Sequence, residues 1–164
     1  MVKIGIIVHS NSGHTLAVAQ ELRDRLASDG LDVTLHQLET VGTASPGSAS
    51  VTLKNRPSLD GYDKLVFGSP VNGGRMSSAM AAYLDGASSL EGQPVAFLLT
   101  HFLRQSWGTE QTIAQMRELC ESKGATVIGS ADVRWPNLRR KRDIRRAVDR
   151  LSQLLMSDEA ATQA

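Results

Sequence analysis

The sequence predicts an α/β fold: a three-layer, doubly wound, five-stranded parallel sheet in strand order 2-1-3-4-5. Three observations predict it. Short apolar runs recur at Ile4 to Val8, Lys64 to Gly68 and Pro94 to Thr100, nearly unbroken, as in strands covered on both faces. Segments of helical period separate most of the strands. One strand, Leu31 to Leu38, alternates instead: Leu31, Val33 and Leu35 against Asp32, Thr34 and His36, which suits a sheet edge. With right-handed crossovers, an alternating second strand at the edge leaves the order 2-1-3-4-5.

In chain order, Lys3 to Val8 is the first strand and Ser10 to Thr15 a turn of small polar residues. A helix from about His14 to Ser28 follows, with Leu16, Val18, Ala19, Leu22 and Leu26 on one face, stopped at Gly30. Glu39 to Asp63 is rich in Ser, Thr, Gly and Pro and reads as mostly irregular, with a short strand or helix near Val51 to Leu53 left open. After Lys64 to Gly68 comes a turn with two glycines, then a helix over about Arg75 to Ala87 bearing Met76, Met80, Tyr83 and Leu84. Pro94 to Thr100 runs into His101 to Gly108. Thr109 then serves as N-cap for a helix over Glu110 to Lys123, with Ile113, Met116, Leu119 and Cys120 inward. Thr126 to Val133 is the fifth strand, broken at Trp135-Pro136. The last helix starts at Leu138 or Lys141 and reaches Met156, with Ile144, Val148, Leu151 and Leu155 on its stripe. The expectation is one domain over 1–156 and a frayed tail over 157–164.

Composition narrows the function. Hydrophobic residues are 41% and charged residues 21%, so the chain is globular. One cysteine, Cys120, excludes an internal disulfide framework and argues against a cysteine-built zinc site. No apolar run is long enough to cross a membrane and the start lacks a signal-peptide pattern, so a cytoplasmic location is expected. The formal net charge is +1, yet Arg134 to Arg150 gathers eight basic residues against Asp143 and Asp149. That run reads first as a solvated helix face, and otherwise as a docking patch for an acidic partner or a phosphate-bearing nucleotide. Nucleic-acid binding has no aromatic platform or recognition motif behind it.

The predicted topology points to one site. Winding reverses between strands one and three, and ligands bind beyond the strand ends at such a switch point. The turns Ser10–Thr15 and Ser69–Arg75 meet there, with Thr100–Gly108 alongside. The first is a hydroxyl-rich turn entering a helix, where free N–H groups and the helix dipole suit a phosphate. There is no GxGxxG after strand one and no GxxxxGK[ST], which argues against dinucleotide and triphosphate folds.

Ser10-Asn11-Ser12-Gly13-His14-Thr15 resembles the FMN-phosphate loop of the flavodoxin-like family, with its S/T-x-S/T-G-x-T pattern. Gly68-Ser69-Pro70-Val71-Asn72-Gly73-Gly74 is similar to that family's second flavin loop, and Thr100-His101-Phe102 through Trp107-Gly108 stands where the third belongs. The resemblance covers nearly the whole chain and implies FMN as cofactor. On it, Ser10, Ser12 and Thr15 offer hydroxyls to the phosphate and Gly13 admits the backbone. No Lys or Arg lies in this loop, so N–H dipoles and the helix end are left to balance the phosphate charge. His14 either adds a hydrogen bond near the phosphate or simply begins the helix facing solvent. His9 reads as a packing residue. In families with such a second loop, a peptide flip at glycines like Gly73 and Gly74 lets a carbonyl accept from the reduced flavin N5. Trp107 either stacks on the ring or plugs the sheet, and Trp135 packs beside the last helix.

The resemblance implies an FMN-binding oxidoreductase, taking electrons from NAD(P)H or a protein donor and passing them to a quinone or other small acceptor. The alternative is a flavodoxin-type electron carrier without a substrate of its own. Such carriers tend to be acidic, and this chain is not. The cofactor carries the chemistry, which accords with a sequence that shows no convincing catalytic pair. The oligomeric state stays open, a homodimer included.

Overall fold

The computed structural model describes residues 1–42, 51–103, 106–136 and 138–157. Its elements run β1 (Lys3–Val8), α1 (His14–Ser28), β2 (Asp32–Gln37), β3 (Lys64–Pro70), α2 (Ser78–Asp85), β4 (Pro94–His101), α3 (Ser106–Glu121), β5 (Thr126–Arg134) and α4 (Arg140–Met156). The five strands form one parallel sheet in the order β2-β1-β3-β4-β5. The doubly wound prediction is what the chain adopts.

Strand pleat divides the core into two layers. Ile4, Ile6, Val8, Val66, Ala96 and Leu98 face α1 and α4, where Val18, Leu22, Leu26, Val148 and Leu151 meet them. Ile7, Leu65, Phe67, Val95, Phe97 and Leu99 face α2 and α3, with Met80, Leu84, Met116 and Cys120. Phe67 and Phe97 are fully buried, each contributing roughly 1.5–3 kcal/mol of hydrophobic stabilisation. β2 is half-exposed along its length, as an edge strand should be.

Of the boundaries that differ from the sequence expectation, three bear on the strand ends at the switch point. α2 begins at Ser78, not Arg75, because Asn72 and Arg75 exchange two backbone hydrogen bonds of 2.8 and 3.1 Å. Gly73 and Gly74 sit between them at φ 59° and 79°, the signature of a type I′ turn. α3 begins at Ser106, so Thr109 is not its cap but a buried residue inside its first turns. Gly108 lies within this helix and packs against the second loop, where a Cβ would make ordinary contacts, 3.6 Å from Gly74 Cα and from Val71 Cγ1. β3 extends to Pro70 because Val71 N donates to Thr100 O at 2.8 Å, carrying the β3–β4 pairing forward.

The described residues between β2 and β3 are irregular, as expected, with an antiparallel bridge between Thr40 and Leu53. Asn55 ties this segment to the end of β2, accepting from Glu39 N and donating to Gln37 O, both at 2.8 Å. Residues 43–50, and the tail over 158–164, lie outside the described residues. No helix among the described residues is long and apolar enough to cross a membrane.

Candidate functional site

The strand ends at the switch point are joined pairwise by single hydrogen bonds. His9 N donates to Gly68 O at 3.0 Å, linking the first and second loops. The Val71–Thr100 backbone bond links the second and third. The hydroxyls of Thr15 and Thr100, 2.8 Å apart and buried, link the first and third. Gly68 makes this closeness feasible. A Cβ there would lie 2.6 Å from Val8 Cγ1 and 3.2 Å from Thr15 Cγ2.

These loops enclose a narrow cleft of about 30 Å³. Ser10, Asn11, Ser12, His14 and Thr15 line it from the first loop. Pro70, Val71 and Asn72 line it from the second, and Thr100, His101 and Phe102 from the third. Eleven residues expected at the site from sequence therefore converge on one space. Gly13, between Ser12 and His14 in the first loop, sits at φ 84°, with open space where a Cβ would be.

The start of α1 is chemically unfinished. Its N-cap is Gly13, without a side-chain cap, and Ala17 N is bonded to Gly13 O at 3.0 Å. The N–H groups of the preceding turn have no partner within the helix. Ser10 Oγ is buried and makes no hydrogen bond among the described residues. An orphaned hydroxyl beside uncapped N–H donors in a positive helix end is what a bound phosphate would complete. The residues present fit an FMN phosphate on this observation. Thr15 differs from the sequence reading, because its hydroxyl is engaged with Thr100 and its side chain is buried.

The remaining expected residues fall outside the cleft. Ser69 Oγ accepts from Ser77 N at 2.8 Å and donates to Pro70 O at 2.9 Å, so its hydroxyl serves the second loop itself. Gly73 and Gly74 form the type I′ turn beyond Asn72. Trp107 and Gly108, expected in a loop, stand in the first turn of α3 instead. Trp107 is 61% exposed, with its ring edge against Gly74.

Sequence reasoning missed what α4 and the end of β5 bring. Trp135 stacks on His14, ring centroids 4.1 Å apart and planes 14° apart, and Phe102 lies 5.5 Å from His14 on a tilted plane. The Arg140 guanidinium sits 4.7 Å from the Trp135 ring centroid. So Trp135 does touch the last helix, as expected, while also covering the first loop. The only signal in the sequence was an aromatic residue shortly before a basic run.

Three histidines surround the site in different states. Burial holds His9 below its ordinary 6.5, and its Nδ1 has no partner among the described residues. Burial, then the Arg140 charge, holds His14 below the same value. His101 moves the other way. Its Nε2 lies 2.7 Å from Asp132 Oδ2 and its Nδ1 2.8 Å from Leu103 O, so both nitrogens face acceptors and the ring is best satisfied as an imidazolium. The Asp132 hydrogen bond is the largest cause of its raised pKa, with burial opposing and the Leu103 carbonyl adding. A register shift in β5 near Val95 and Ala96 places His101 opposite Arg134 and diagonal to Asp132. Arg134 Nε in turn donates to Phe102 O at 3.2 Å, which fixes the third loop from the same strand.

Residues 2–138 match the family described as NADPH-dependent FMN reductase. A NAD(P)H dehydrogenase (quinone) from Cupriavidus metallidurans is 28% identical over 142 residues, spanning 79% of this chain and 71% of its own. One from Archaeoglobus fulgidus is 28% identical over 147 residues, spanning 79% and 76%. Among solved structures, a flavoprotein in complex with FMN from Lactobacillus acidophilus superposes with TM-score 0.65 at 18% identity, covering 90% of this chain and 99% of its own. A flavodoxin from Streptococcus pneumonia TIGR4 superposes with TM-score 0.70 at 16% identity, covering 96% and 99%. At such identities the two structures speak to the fold alone.

Proposed function

We propose, from the premise that the chain belongs to the NADPH-dependent FMN reductase family, that this FMN-binding oxidoreductase takes electrons from a reduced nicotinamide and passes them to a quinone or other small acceptor. The observation that carries the placing of the cofactor is the unfinished start of α1, an uncapped helix beside the unpartnered Ser10 hydroxyl.

In this reading Ser10, Ser12 and the N–H groups after Gly13 hold the phosphate. Thr100 pins Thr15 and with it the first turn of α1. Asn72 and the turn at Gly73 and Gly74 border the ring system, with Phe102, 56% exposed, as an apolar rim. FMN supplies the hydride and electron chemistry when bound. The chain contributes position and exclusion of water. His101 is not set up to hand over a proton, because both its nitrogens are turned to internal acceptors.

The test is the purified protein itself. It should carry yellow flavin bands, release one FMN per chain on denaturation, and oxidise NADPH in the presence of a quinone without added reductase. A colourless protein that takes up no added FMN overturns the reading. Reduction only through a second protein would instead make the chain an electron carrier.

A further inference from the structure

The phosphate loop contains no cation, and a phosphate monoester brings a charge of about −1.5 to −2. Backbone dipoles and one helix end offset only part of that. The missing charge stands on another element. Arg139, Arg140, Lys141 and Arg142 are consecutive, exposed, and at the start of α4. That placement is unfavourable by itself, since cations at a helix N-terminus oppose the macrodipole and repel one another. α4 also lacks a side-chain cap, and Asp143 is the one acid in its first turn. A local rule broken in this way points to an anion that the segment receives.

The geometry says where that anion lies. Trp135 N donates to His101 O at 2.8 Å, which extends the β4–β5 pairing and fixes the departure of the indole. The indole stacks on His14, the first residue of α1, and Arg140 stands over the indole by a cation–π contact. Two helix starts therefore meet at one edge of the sheet, coupled through the rings of His14 and Trp135. We propose that Arg140, held on the His14–Trp135 stack, is the counter-charge for the phosphate of FMN and makes the site select the phosphorylated flavin over riboflavin. This rests on the placing of the phosphate at Ser10 to Thr15. The guanidinium lies within about one Debye length of the His14 ring, close enough for its charge to act on the loop. The lowered pKa of His14 agrees, since Arg140 is one of its causes, and it leaves Arg140 rather than His14 as the cation.

The test compares two ligands that differ only in the phosphate. Flavin-free protein is titrated with FMN and with riboflavin, followed by quenching of flavin fluorescence. Arg140→Gln should weaken FMN roughly fivefold, as for a partly screened charge pair, and leave riboflavin within about twofold. Arg140→Glu should weaken FMN further, Arg140→Lys should recover most of the affinity, and the preference of the native protein for FMN should shrink as salt rises. Equal weakening of both flavins means that the stack only shapes the loop, and overturns the proposal. So does an unchanged FMN affinity. A native protein that binds neither flavin overturns the phosphate site and this proposal together, whereas native binding with an indifferent Arg140→Gln sinks the proposal alone.

Discussion

α1 and α2 both begin at the carboxyl edge of the sheet, each after a buried strand and a glycine-bearing turn, yet their first turns are treated in opposite ways. At α2 three donors in and just ahead of the first turn are met by side chains of the protein. Ser77 Oγ accepts from Met80 N at 3.2 Å, Ser69 Oγ from Ser77 N, and Gln115 Oε1 from Met76 N at 3.1 Å. At α1 the cap is a glycine in the left-handed region with no side-chain acceptor, and a buried hydroxyl is left over nearby. A helix start becomes an anion site only where the protein withholds its own caps. The uncapped helix lines the cleft with His14 and Thr15 and is the proposed socket, whereas the capped one supplies none of the lining residues.

The sharpest way to break this comparison is to place a carboxylate in the socket. Ser12 is exposed, so Ser12→Glu should fold normally. FMN affinity should fall about 100-fold or more, from like charges roughly 5 Å apart at intermediate dielectric. Fluorescence titration measures it, and unchanged affinity would move the phosphate elsewhere. The matching change at the capped helix should do the reverse. Ser77→Ala should cost about 1 kcal/mol in urea unfolding, the usual value of an N-cap, with FMN affinity within about twofold of native. A large loss of FMN affinity there would mean that the two helix starts are not separable in function.

The smallest expected effect concerns pH and the third loop. The folded protein raises the pKa of His101 above 6.5, so this contribution is fully present below about pH 6.5 and fades as pH rises through the raised folded value. Asp132→Asn removes the main cause of the shift. Native and variant stabilities should therefore differ most below pH 6.5, by less than about 1 kcal/mol for a part-exposed pair, and converge once pH has risen past the raised folded value. The depressed pKa of His9 works oppositely, favouring stability as pH rises, so the native-minus-variant difference is the quantity to read. A difference that stays constant with pH would show that the His101–Asp132 contact is not a protonation-dependent tie.

Much of the site could be read in order along the chain. Ser10 to Thr15, Pro70 to Asn72 and Thr100 to Phe102 each follow a buried strand, and strand order alone brings their ends together. The parts that could not be read depend on partners far away in sequence. Ser69 looks like a ligand-binding hydroxyl until Ser77 N is found on it. Thr109 looks like a cap until α3 is found to begin at Ser106, with Gly108 inside it and packed against Gly74 of the second loop. Trp107 looks like a flavin-loop aromatic, while Trp135, 28 residues on in the numbering, is the one that stacks over the loop.

By itself the sequence determined the sheet, its order, and the three turns that converge, because apolar period and turn chemistry act over a few residues and crossover handedness does the rest. Only the tertiary structure decided which hydroxyls stay unpaired and which charge stands beside the loop. Hydrogen-bond satisfaction and Coulomb attraction depend on distance in space. Arg140 is 126 residues from His14 along the chain and, through the Trp135 ring stacked between them, its neighbour in the fold.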